Sequence, residues 1–89
     1  MARLKGMPEM YEWLDQVAEA LNVDRSIVSG LDKELLDLIR EIAHNHSRPG
    51  GPLTVFLIGL LTPLEPTEEV APAVREKIAA VRELLAKET

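Results

Sequence analysis

The chain carries Arg48-Pro49-Gly50-Gly51-Pro52 immediately ahead of Leu53-Thr54-Val55-Phe56-Leu57-Ile58-Gly59-Leu60-Leu61. No other stretch limits the possible folds as strongly. The first segment is a turn that no regular element can cross. The second has almost no polar face. A helix apolar all round is a buried helix, and Pro52 suits a first helical position, where its missing N–H is no loss. The rival is a buried strand, since Thr-Val-Phe-Leu-Ile has strand character. No second convincing strand exists to pair with it, so the pattern favours a helix. The run is only about half of the ~20 residues a membrane span requires.

The flanking sequence supplies amphipathic helices. Met10, Leu14, Val17, Ala18 and Leu21 recur at steps of three and four, which predicts a helix over Glu9–Leu21 with an acidic outer side. Trp13 at the edge of that stripe reads as a core residue. Residues 1–7 read as a loose tail. Asn22 suits a helix exit because it tolerates left-handed geometry. Asp24 is a good cap for a short turn over Arg25–Ser29 that carries Ile27 and Val28. Asp32 caps the next helix, which runs from Lys33 to Asn45 or Ser47 and whose stripe is Leu35, Leu38, Ile39, Ile42, Ala43 and His46. Thr62-Pro-Leu-Glu-Pro-Thr67 reads as a linker, and Thr67 as the cap of a last helix with Val70, Val74, Ile78, Val81 and Leu85 on one side. The expected fold is all-α: one domain spanning 1–89, a small bundle of four main helices plus one short helix, with 52–62 as the buried central helix.

Composition narrows the function. There is no cysteine, which removes thiolate metal sites and cysteine nucleophiles and fits a reducing compartment. A net charge of −5 repels nucleic-acid phosphates and anionic membrane. With no basic recognition helix, a DNA-binding helix-turn-helix is disfavoured. The opening residues lack the apolar run of a secretory signal. A soluble cytoplasmic protein is the expectation, without nucleic-acid or membrane partners. A chain of this size builds a modest core, so burial against a protein partner or in a homodimer is expected to help it.

Few residues carry chemistry. His44 and His46 lie about 200° apart on a helix and cannot chelate one metal together. His46 continues the apolar stripe and reads as a core-edge histidine. Glu41 and His44 share a face as a Glu-x-x-His pair, but a di-iron site needs two such pairs, so a surface ion pair is the simpler reading. No catalytic set, metal site or cofactor motif is expected. The turn offers more. A helix N-terminus presents free N–H groups, glycines admit an anion closely, Arg48 adds a fork of donors and Thr54 a hydroxyl. His44, Arg48, Gly50, Gly51 and Thr54 are therefore the candidate anion- or partner-binding residues. The plainer alternative is that Arg48 bonds the carbonyls of the preceding helix and the glycines make the turn.

Ala43-His44, Arg48-Pro49, Pro52-Leu53-Thr54 and Phe56-Leu57-x-Gly59, behind a Trp13-Leu14 helix, resemble a small helical domain of unknown function. That domain occurs alone or fused to MobA-like proteins of molybdopterin-guanine dinucleotide biosynthesis. The likeness covers roughly residues 10–61, and Gly50-Gly51 departs from that domain's more alanine-rich turn. It implies a non-catalytic accessory domain of molybdenum-cofactor biosynthesis, docking on a protein such as its nucleotidyltransferase. The α/β nucleotidyltransferase domain itself has no counterpart here. No catalytic residue carries over, while His44, Arg48 and Thr54 occupy matching positions. The alternative function is a small-molecule anion or phosphate-binding module that uses the 48–54 turn.

Overall fold

The computed structural model describes residues 6–88, and the side chains of these apart from 6, 7, 28, 29 and 88. The order is α1 (Gly6–Leu21), α2 (Ser26–Ser29), α3 (Asp32–Asn45), α4 (Gly50–Leu61), a 3-10 turn (Thr67–Glu69) and α5 (Val70–Glu88). The fold is all-α, and no strand occurs among the described residues. Gly6 and Met7 belong to α1 rather than to a tail, and the rest of the expected tail lies outside the described residues.

Local chemistry sets the joints. Asn22 takes the left-handed conformation at φ 59°, and the Val23 N–H returns to the Ala18 carbonyl at 2.9 Å. This closes α1 as the sequence anticipates. Asp24 Oδ1 accepts from the Ser26 N–H at 3.0 Å and from its hydroxyl at 2.8 Å, starting α2. Those bonds, the hydroxyl's foremost, hold the Asp24 carboxyl below its ordinary pKa. Asp32 is not the cap of α3: Leu31 holds that position, without a side-chain cap. The Asp32 carboxylate instead accepts from the Lys33 N–H and from the Tyr11 hydroxyl. Thr67 likewise lies within the 3-10 turn that leads into α5 and caps nothing. Pro72 falls in the first turn of α5, where it is tolerated.

The core is the meeting of α3, α4 and α5. Leu31, Leu38, Ile42, Ile58, Val70, Val74 and Ile78 are buried, and Ile27, Leu35, Ala71, Val81 and Leu85 pack around them. None of these belongs to α1. Its stripe, Met10, Leu14, Val17 and Ala18, is only half-buried, and polar contacts add to it: Tyr11 to Asp32 at 2.8 Å, and Arg25, whose Nε is 3.0 Å from Asp15 and whose guanidinium lies over the Tyr11 ring. Two salt bridges tie α3 to α5, Glu34–Arg75 and Glu41–Arg82.

The central helix is not buried all round. On α4, Ile58 is 5 % exposed, but Leu53 is 64 %, Phe56 61 %, Leu57 59 % and Leu60 64 %. The reason is thickness. The molecule measures 40 × 38 × 17 Å, and covering a helix on two sides takes two interaxial spacings of about 8–10 Å plus the helix itself. Eighty-nine residues make a slab with α4 lining one side, not a shell around it. Trp13, read from sequence as core, is 61 % exposed for a related reason: α1 lies beside the core rather than in it.

Candidate interaction site

The turn between α3 and α4 is built by the end of α3. The His46 and Ser47 N–H groups both donate to the Ile42 carbonyl, at 2.8 and 3.0 Å. His46 leaves helical geometry there, and its ring is exposed, with Nδ1 3.4 Å from the Ser47 hydroxyl. It is not the core-edge histidine that the stripe suggested. Glu41 does not pair with His44. It makes a two-pronged pair with Arg82 of α5, at 2.9 and 3.0 Å. Among the described residues, no three His, Asp or Glu side chains gather as a metal site would require.

The candidate residues do not form one site; α4 separates them. His44 and Arg48 border a groove of about 430 Å³ on one side, with Leu36, Ile39, Arg40, Ala43 and Pro52. Gly50 and Thr54 face a smaller hollow of about 190 Å³ on the other, against Ile42, Val81, Leu84 and Leu85. Gly51 is buried between them, pressed on α3. A Cβ there would stand 2.9 Å from Ile39 Cγ2 and 3.2 Å from the Ile39 carbonyl oxygen. The glycine serves close helix packing, not the approach of a ligand.

The first turn of α4 has little to offer an anion. The Gly50 N–H donates to the Ser47 carbonyl at 3.2 Å and the Gly51 N–H to the Arg48 carbonyl at 3.4 Å. Pro52 has no N–H, and the next amide, Leu53, has the carbonyl of the Pro49 cap as its helical acceptor. The Arg48 guanidinium is exposed and has no hydrogen bond or ion pair among the described residues, so it does not bind the carbonyls of α3.

The feature that sequence reasoning placed inside is the outer stripe of α4. Gly51, Val55 and Ile58, with Thr62 just past the helix end, face the core side, Ile58 and Gly51 buried. Leu53, Phe56, Leu57 and Leu60 span about 100° on the opposite side, the width of an ordinary core-facing stripe. The signal for it was present in the run's lack of any polar position, but the 3.6-residue period cannot distinguish a helix buried twice from one buried once and awaiting cover.

A family model for a domain of unknown function, DUF6457, matches residues 5–89. The chain belongs to the DUF6457 family. Neither the curated proteins nor the solved structures contain a significant match to it. The DUF6457 chain has, among its described residues, no helix long and apolar enough to cross a membrane.

Proposed function

We propose that this DUF6457 domain is a non-catalytic docking module of molybdenum-cofactor biosynthesis. It engages a protein partner, a MobA-like nucleotidyltransferase of molybdopterin-guanine dinucleotide synthesis, through the outer stripe of α4. One observation supports docking above all: Leu53, Phe56, Leu57 and Leu60 form a continuous apolar stripe more than half exposed. Surface patches of this kind, on small domains, are characteristic of interaction sites. Phe56 among them is the type of aromatic anchor that concentrates binding energy. The partner class comes from the sequence resemblance alone, and a cytoplasmic location follows from that role. The anion-binding alternative loses ground to the amides of Gly50 and Gly51, which already have acceptors.

The test is co-expression with a MobA-like guanylyltransferase and gel filtration of the pair. The wild-type domain should co-elute with the enzyme, and Leu57→Glu should not. Separate elution of the wild-type proteins would remove the proposed partner.

A further inference from the structure

The groove between α3 and α4 lies beside the outer stripe and has a different character. Its floor is apolar, from Leu36, Ile39 and Pro52, and its rim carries Arg40, His44 and Arg48. In a chain of net charge −5, this is a basic edge on an apolar trough. Arg40 reaches Asp37 at 2.9 Å, while the His44 ring and the Arg48 guanidinium have no partner among the described residues.

The same chain presents the complementary surface. α1 is tethered through Tyr11 and Asp15. Trp13 stands two residues from Tyr11, about 200° around the helix, and it points away from that tether with 61 % of its surface exposed. Glu9 lies one turn before it on the same face and Glu12 about 100° round the helix on that same side, both exposed and without an ion pair among the described residues. An aromatic anchor with carboxylates along one side matches an apolar trough with two arginines on its rim in both chemistry and sign.

We infer that the α3/α4 groove takes the α1 helix of a second copy of this chain, Trp13 seated on Leu36, Ile39 and Pro52, and Glu9 and Glu12 set against Arg40, His44 and Arg48. The exchange is reciprocal, so one two-fold axis satisfies both grooves. This surface is distinct from the outer stripe of α4, and the inference stands apart from the partner assigned there.

Sedimentation velocity on the full purified chain tests it. The wild-type protein should form a dimer that weakens as salt is raised. Reversing the rim, Arg40→Glu with Arg48→Glu, should weaken the dimer roughly tenfold or more, as should reversing the helix, Glu9→Lys with Glu12→Lys. Trp13→Ala should act in the same direction. The two charge-reversed proteins mixed together should pair with each other, because each groove then meets a helix of opposite sign. Circular dichroism of each variant confirms the fold. A monomeric wild-type protein, or reversed variants that self-associate normally and gain nothing on mixing, would overturn the inference. So would a dimer that Leu57→Glu dissociates while the rim reversal leaves it intact; that result would place the second copy on the outer stripe of α4 instead.

Discussion

Gly51 of α4 rests against Ile39 of α3 so closely that a methyl group on it would stand 2.9 Å from the Ile39 side chain and 3.2 Å from the Ile39 carbonyl oxygen. This contact sets the separation of the two helices and so the shape of the basic-rimmed groove beside them. Gly51→Ala should destabilise the protein by about 1–3 kcal/mol, since the backbone of α3 cannot step aside as a side chain can. Gly50→Ala should cost less, because the atom met at 2.7 Å is the rotatable Ser47 hydroxyl. Gly59→Ala meets nothing within 4 Å, and should stabilise the helix by up to about 1 kcal/mol. Thermal or urea denaturation of the three variants orders them.

The tie between α1 and α3 is expected to depend on pH at both extremes. The Tyr11 hydroxyl bond, with smaller help from the Lys33 N–H, holds the Asp32 carboxyl below its ordinary 3.8. A depressed carboxyl pKa contributes stability above the unfolded value, and that contribution is lost as pH falls through the folded one. The same bond raises Tyr11 above its ordinary 10.0. Its contribution is complete below 10.0 and lost as pH rises through the higher folded value. The tie should therefore persist across the neutral range and weaken only as pH falls below 3.8 or rises above 10.0. Tyr11→Phe removes the main cause, and a carboxyl NMR titration should then show the Asp32 midpoint moving up toward 3.8. An unmoved midpoint would assign the depression to other groups.

Glu41 and Arg82 join α3 to α5 by two parallel bonds at 2.9 and 3.0 Å. Both side chains are more than a third exposed, so solvent screens the pair. Glu41→Gln should cost at most about 1 kcal/mol, and raised salt should shrink the difference from wild type. A salt-independent loss of several kcal/mol would mean that the carboxylate does more than pair with Arg82.

Much of the fold is legible in the residues. The stripe of α3 with Leu38 and Ile42, the stripe of α5 with Val74 and Ile78, the exit at Asn22 and the start at Asp24 all follow from period and turn chemistry. Other features are not. Asp32 and Thr67 look like caps, but tertiary contacts decide the use of a side chain: Asp32 serves Tyr11, a residue on another helix, and no local pattern reveals that. His46 keeps the period of α3 but falls where the chain leaves helical geometry, so its ring turns out to solvent. The run after Pro52 reads as enclosed because periodicity reports what a helix face is made of, not what covers it. The candidate site shows the same limit. His44, Arg48, Gly50, Gly51 and Thr54 are close in sequence, yet a helix distributes them around its circumference, and α4 puts His44 and Arg48 on one side with Gly50 and Thr54 on the other.

The one-sided burial of α4 can be read directly from two neighbouring residues. Ile58 is 5 % exposed and Leu57 is 59 %, although the sequence treats them alike. In urea denaturation, Ile58→Ala should cost about 2–5 kcal/mol, a large part of the stability of so small a domain. Leu57→Glu should stay within about 0.5 kcal/mol of wild type while adding a full charge to the stripe. A Leu57→Glu protein as unstable as Ile58→Ala would contradict the open face of α4 and, with it, the docking surface assigned to this domain.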